Sequence, residues 1–340
     1  GLVLTAIIRF SIKHRILVVL ASIFVAALGA YNFTRLPIDA VPDITNVQVQ
    51  INTSVPALSP IEIEKRVTFP IEVSMSGLPH LEELRSISRY GLSQVTVVFE
   101  DGTDLYLARQ LVSERLQTAK DALPRGLAEP SMSPISTGLG EIYMWAVEAE
   151  PGATKPDGTA FTPTDLRTIQ DWIIRPQLLT VPGVAEVNSI GGFAKQFHIT
   201  PHPARLLSFG LSFQDVAEAL ERNNAFAGGG YIEHRGEQYI VKMSGLVSTL
   251  EQIRKIPIVT RDSIPILVED VAGVEFGKEL RTGAATLDGE ESVVGTAMML
   301  VGENSRTVAK AVDEAMKQVN RTLPPGVHSK TVYNRKRLVD

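Results

Sequence analysis

A nine-residue phrase occurs twice in this chain, as Pro79-His-Leu-Glu-Glu-Leu-Arg-Ser-Ile87 and as Pro182-Gly-Val-Ala-Glu-Val-Asn-Ser-Ile190. Four columns are identical (Pro, Glu, Ser and Ile), and Leu81/Val184 and Leu84/Val187 exchange one aliphatic residue for another. A gapless match of this kind marks a duplicated unit, so the fold must accommodate two copies. A second phrase follows in the same order, Leu123-Pro-Arg-Gly-Leu127 and Leu323-Pro-Pro-Gly-Val327. Pro79 and Pro124 are 45 residues apart, whereas Pro182 and Pro324 are 142 apart. Copy two therefore carries about 97 additional residues, enough for a small domain.

Periodicity gives each copy the same element order. In copy one, Val47, Val49 and Ile51 alternate with polar residues as a half-buried strand. Ser59-Pro60 opens a helix with Glu62 near N3, expected to reach Met75 despite Pro70 and to end at Gly77. The phrase itself, then Val95 to Phe99, read as strands joined by a turn at Tyr90–Ser93; Asp104–Leu123 reads as a helix and Met132–Ile135 as a strand. The pattern is βαββαβ, the split βαβ or ferredoxin-like unit. Copy two repeats it with strands at Ile142–Ala149, Val184–Ile190, Ser292–Val301 and Val327–Tyr333, a helix capped at Thr162 and running through Leu178, and a helix at Ser305–Leu323. Its insertion holds a strand at Phe197–Thr200, a helix opened by Ser212 and a hairpin in which Tyr231–Glu233 faces Gln238–Met243 across Arg235-Gly236. The expected class is α+β, with domains at 37–135, at 136–190 with 274–333, and an inserted α+β subdomain at 191–273.

Ahead of these lies a run without charge from Ile16 to Thr34, long enough for a membrane span, which needs roughly 17 to 25 residues. Arg9, Lys13 and Arg15 precede it and a single Arg35 follows, which puts the N-terminus on the cytoplasmic side and the bulk of the chain across the membrane. Residues 1–36 then comprise an interfacial segment and one transmembrane helix. A cleavable signal peptide is the alternative, with Ala27-Leu-Gly29 as a small-residue cleavage site. The net charge of −5 excludes a basic nucleic-acid footprint, and the absence of cysteine excludes disulfides and thiolate metal sites.

Several runs now converge. Phe99-Glu-Asp-Gly-Thr-Asp104, Thr180-Val-Pro-Gly-Val184, the single N-terminal span and the tandem units with an insert in the second resemble the N-terminal half of resistance-nodulation-division (RND) efflux pumps. Leu36-Pro-Ile-Asp-Ala-Val-Pro-Asp43, Thr137-Gly-Leu-Gly-Glu-Ile142, Ile169-Gln-Asp-Trp172 and Glu218-Ala-Leu-Glu-Arg-Asn-Asn224 are similar to the heavy-metal members, of cobalt-zinc-cadmium or copper-silver type and closest to the former. The resemblance implies a homotrimeric inner-membrane proton/cation antiporter, a transporter rather than an enzyme. Its partners would be the lipid bilayer, a periplasmic adaptor and an outer-membrane channel. The two copies would be porter subdomains, the insert a docking subdomain, and the hairpin an arm into the neighbouring protomer. Members of the family are longer, with a second half that repeats the first and further membrane helices bearing an acidic proton relay. Residues 334–340 would lead into a second such helix, with Asn334 where the family has Asp. Two rival readings are a drug-type pump, which the 6% aromatic content disfavours, and a single-span periplasmic interaction or assembly module.

No cofactor is expected; the metal in question is cargo, a divalent ion such as zinc. Zinc and cobalt accept carboxylate and imidazole donors, whereas Cu(I) prefers sulfur, and the seven scattered methionines read as core. Glu141 opens the first strand of copy two after Gly138-Leu-Gly140, and Asp171 lies mid-helix beside Trp172. By the resemblance such acids line the transport path; Asp171 is equally placed to pair with Arg167 or Arg175 at i±4. His198 and His202 have ligand spacing only on a helix, which Pro201 and Pro203 forbid, so both are expected in a loop. Asp101 and Asp104 are expected to form a turn and an N-cap.

Overall fold

The uncharged run forms one helix, α1 (Arg15–Phe33), in the computed structural model of the chain. Its 19 residues at 1.5 Å each span about 28 Å, close to the hydrocarbon thickness of a bilayer. None of them is buried against the protein, and the helix is long and apolar enough to cross a membrane. The structure describes residues 10–33, 45–55, 58–123, 128–224, 228–234, 237–242, 247–261, 263–279 and 283–339. Most of the expected interfacial segment, the proline-rich exit at 36–43 and the Arg235-Gly236 turn lie outside them.

In copy one, β1 (Gln48–Ser54) buries Val49, Ile51 and Thr53 on one face, as its alternation requires. A helix over 60–75, α2, follows. Ser59 caps it in a reciprocal box with Glu62. The helix survives Pro70 by a π-helical turn, Glu64–Thr68, set between the α segments Pro60–Ile63 and Phe69–Met75. A proline removes the N–H that residue 66 would accept and crowds that carbonyl. The wider π turn absorbs the mismatch and turns Thr68 inward, where its hydroxyl bonds Ser93 at 2.7 Å and Ser88 at 2.8 Å. β2 (Leu81–Arg89), β3 (Leu92–Phe99), α3 (Leu105–Ala122, capped by Asp104) and β4 (Glu129–Met132) complete the unit, with strand order β2-β3-β1-β4. The last strand was expected three residues later. Pro130 sits in β4 opposite Thr53, which is permissible because β4 is an edge strand and proline's missing donor faces outward.

Copy two uses the same order. β5 (Glu141–Ala149) is followed by α4, a helix over 163–178 that again breaks into α (Pro163–Ile169), π (Gln170–Ile174) and α (Arg175–Leu178) segments, with Pro176 after the π turn. Then come β6 (Val184–Ile190) and the inserted elements: β7 (Lys195–Pro201), α5 (Pro203–Ser208), α6 (Phe213–Asn223), β8 (Gly228–His234), β9 (Glu237–Lys242), α7 (Leu250–Arg254), β10 (Pro257–Arg261), β11 (Ile264–Leu267), α8 (Val268–Val271), β12 (Ala272–Lys278) and β13 (Ala285–Leu287). The expected hairpin is β8–β9, with Tyr231 opposite Ile240 and Glu233 opposite Gln238. Copy two resumes with β14 (Glu290–Met299), α9 (Ser305–Thr322) and β15 (Val327–Asn334), and a short helix α10 (Lys336–Val339) follows. Its sheet runs β13-β14-β5-β15, with β6 also paired to β14.

The duplicated phrase has a structural content that its letters do not show. In a strand, residues three apart point to opposite faces. Leu81 and Leu84 both pack on the core of copy one because β2 bulges between Leu81 and Glu83. Val184 and Val187 keep the same spacing and are both buried. The second column adopts a left-handed backbone in both copies, φ +60° at His80 and +85° at Gly183. The hydrogen bond that follows is also shared: Glu100 N–H donates to the His80 carbonyl and Leu300 N–H to that of Gly183, each at 2.9 Å. Beyond it both chains turn through a glycine at φ +86° (Gly102, Gly302) into a capping Asp104 or Asn304. Duplication thus extends to a third stretch, 99–104 against 299–304.

The chain divides into two compact units, one of Gly1–Ala146, Trp172–Ser189 and Val294–Asp340, the other of Val147–Asp171 and Ile190–Val293. In the first, Val49, Ile51, Val95, Val97 and Phe99 meet Ile63, Val67, Ile71, Val112 and Leu116 in one core. Trp145, wholly buried on β5, lies against Gly295 of β14, where an added Cβ would stand 2.3 Å from the indole ring. In the second unit, Val216, Ala219, Ile253, Ile256, Val268, Val271 and Val274 form a separate core.

Candidate metal-binding residues

Glu141 is the exposed first residue of β5, released from the 3₁₀ turn Gly138–Gly140, and belongs to the first compact unit. Asp171 belongs to the second, in the π turn of α4. Its Oδ2 accepts from Arg167 Nε at 2.7 Å, and Arg167 Nη1 donates to the Gly191 carbonyl at 2.9 Å. The i−4 pairing is therefore present, and it makes the guanidinium a brace between helix and chain as well as a counter-ion. Both side chains of the pair are only 23% exposed. Trp172 beside it is 78% exposed, an unusual position for so large an apolar ring.

Only one of the two histidines is outside a regular element, as expected: His202 links β7 to α5, whereas His198 is in a strand. His198 lies within β7 opposite Glu275, and His202 precedes α5 at its N-cap. The strand extends through Pro201 because the pairing with β12 runs to Ala272, and Pro203 starts the next helix at its first position. Asp104 is the expected cap, accepting from Leu107 N–H at 2.8 Å, and Asp101 is in the turn before it. Of the methionines, Met75, Met299 and Met316 are buried. Among the described residues no group of three or more His, Asp or Glu side chains is gathered to hold a metal ion.

Two polar sites escaped sequence reasoning. Tyr143 is buried on β5, its hydroxyl donating to Asp313 Oδ1 at 2.9 Å and lying 2.6 Å from the Thr331 hydroxyl. Burial, with the Asp313 carboxylate beside it, pushes its pKa from 10.0 to about 12. Burial would raise Asp313 as well, but hydrogen bonds from Tyr143 and Lys317 outweigh it and hold the carboxyl below its ordinary value. The second site is a cleft of about 130 Å³ lined by Thr45, Gln48, Gln50, Arg109, Ser136 and Thr137. Arg109 Nη1 donates to the Ser133 carbonyl at 2.7 Å there, and burial lowers its pKa. No sequence period signals either cluster, since their members lie up to 188 residues apart.

The sequence profile of the AcrB/AcrD/AcrF family matches residues 7–340. The chain belongs to this RND family. It is 62% identical over 334 residues to the cation efflux system protein CzcA of Alcaligenes sp., covering 98% of this chain and 31% of that protein. Identity is 46% to the nickel and cobalt resistance protein CnrA of Cupriavidus metallidurans and 38% to the cation efflux system protein CusA of Escherichia coli, with 98% of this chain covered in each case. A crystal structure of a heavy metal efflux pump superposes with a TM-score of 0.84 at 31% identity, over 98% of this chain and 32% of the pump. The chain thus spans about a third of the length of these RND relatives.

Proposed function

We propose that this chain is the N-terminal portion of a proton-driven exporter of divalent heavy-metal cations, of the zinc, cobalt and cadmium type. The observation that carries the reading is the gradient of identity, 62% to a CzcA protein against 38% to CusA, over nearly the whole chain. It also favours metal cargo over the drug-type and interaction-module readings. The two βαββαβ units serve as porter subdomains, at 37–135 and at 136–190 with 274–333. Residues 191–273 form a docking subdomain, and the β8–β9 hairpin is the arm toward a neighbouring protomer of a trimer. Helix α1 crosses the inner membrane and leaves the rest in the periplasm, where an adaptor and an outer-membrane channel complete the export path.

Zinc is the substrate rather than a resident cofactor, and oxygen donors suit it. Glu141 and Asp171 each supply one carboxylate to the path. Asp171 is held ready by Arg167, which an arriving cation would displace from Oδ2; neutralising one charge with another keeps such a site from trapping its cargo. Zinc titration of the chain tests the assignment: Glu141→Ala and Asp171→Ala are each expected to lower the bound zinc, and unchanged binding in both refutes it. A metal-sensitive strain expressing the full-length protein with its adaptor and channel is expected to gain zinc, cobalt or cadmium resistance, whereas this portion alone is not expected to pump. No gain for any of the three would refute the cargo class.

A further inference from the structure

The two copies share a backbone at the second column of the phrase and differ in the two residues it presents. In copy two the pair joined by the 2.9 Å backbone hydrogen bond is Gly183 and Leu300, which offers no donor side chain. In copy one it is His80 and Glu100, and the side chains meet, His80 Nδ1 lying 3.2 Å from Glu100 Oε2. Glycine is the residue that a φ of +60° favours. Copy one nevertheless holds a histidine there, and the exposed side-chain contact it forms is of a kind that contributes little to stability.

We propose that His80 and Glu100 form a surface site for a borderline divalent cation, zinc being the test case. An imidazole nitrogen and a carboxylate oxygen are both zinc donors, bound at about 2.0–2.2 Å, so two of them on one tetrahedral ion stand about 3.3–3.6 Å apart. The pair is already at 3.2 Å, so the two donors reach a shared ion by turning their side chains, without a move of the backbone. The backbone that carries the donors is held in place. Glu100 N–H is tied to the His80 carbonyl, and the Glu100 carbonyl accepts from both Thr103 N–H at 3.1 Å and the Thr103 hydroxyl at 2.7 Å. The side chains are 58% and 63% exposed, which leaves room for waters to complete the coordination. The site follows from donor chemistry and geometry alone and does not depend on what the whole protein exports.

Copy two supplies the control, because His80→Gly and Glu100→Leu install what the same backbone already carries there. Equilibrium dialysis of the chain in detergent against zinc alone is expected to show one bound equivalent fewer in each variant than in the parent. Both variants should retain a cooperative unfolding transition close to the parent's denaturant midpoint, so that lost binding is not lost folding. Zinc should also shift an imidazole NMR resonance that is missing from His80→Gly. Full zinc stoichiometry in either variant, or a parent whose His80 resonance ignores zinc, would show a side-chain contact only and overturn the proposal. Glu141 and Asp171 are intact throughout, so failure here leaves their assignment standing.

Discussion

Replacing Gly183 by alanine should destabilise the chain far more than replacing His80 by glycine, although the two residues occupy one column of the repeat. Alanine at φ +85° incurs about 1–2 kcal/mol of backbone strain. Its Cβ would also stand 2.6 Å from Val308 Cγ2 and 3.3 Å from Cγ1. Val308 is 3% exposed and β-branched, stiff about χ1, so it yields only by moving α9. Overpacking of this kind adds about 1–3 kcal/mol, for a total of roughly 2–5 kcal/mol. At His80 the effects nearly cancel: glycine relieves about 1–2 kcal/mol of strain but enlarges unfolded-state entropy by about 0.5–1 kcal/mol and removes an exposed pair worth about 0–1 kcal/mol. Denaturant unfolding in detergent, followed by the fluorescence of buried Trp145, measures both. Combining Gly183→Ala with Val308→Ala should recover the steric part, leaving a coupling of about 1–3 kcal/mol in the double-mutant cycle. A cost under 1 kcal/mol for Gly183→Ala, or no coupling to Val308, would refute the reasoning.

Tyr143 makes stability fall in alkali. Because its folded-state pKa is raised, its contribution is complete below pH 10.0, where the unfolded chain titrates, and is lost as pH rises to about 12. Two pKa steps correspond to about 2–3 kcal/mol. Tyr143→Phe should flatten that segment of the stability-against-pH profile, and an unchanged slope would count against the buried hydroxyl. Gly295→Ala should cost toward the upper end of about 1–3 kcal/mol by driving a methyl group into the Trp145 indole, read from the same unfolding curves. Thr162→Ala should remove the reciprocal cap with Asp165 and cost about 0.5–2 kcal/mol. Asp171→Ala should weaken zinc binding while changing stability by less than about 1 kcal/mol, since an i,i+4 pair of this kind contributes little.

Much of this fold was legible where local chemistry decides it. Ser59, Thr162 and Ser212 announced their helices, Ser59 together with its partner Glu62, and the alternation in β1 and β3 gave both the strands and their buried faces. The duplicated phrase pointed to a repeated element order, which the strands and helices of the two copies show. Its bulge was not legible, because Leu81 and Leu84 sit at a spacing that suits neither a plain strand nor an unambiguous helix. The π turns left only an indirect trace, a proline inside each helical pattern. Strand β4 was misplaced because Pro130 reads as a breaker until its edge position is known. The site fared differently. The Asp171–Arg167 contact was one of the two i±4 pairings anticipated, because that geometry is local, whereas Tyr143–Asp313 and His80–Glu100 depend on strands brought together by the whole sheet. The His80–Glu100 pair had a trace after all: one column held glycine in one copy and histidine in the other.

The central claim is that this chain is part of a protein that moves divalent metal ions outward at the expense of a proton gradient. Its most direct test is zinc flux in proteoliposomes containing the full-length protein of which this chain is the N-terminal portion. With an imposed pH gradient, zinc is expected to move against its own gradient with counter-movement of protons, and to stop when the gradient is collapsed. Zinc movement indifferent to the proton gradient, or none at all in correctly oriented vesicles, would contradict the account.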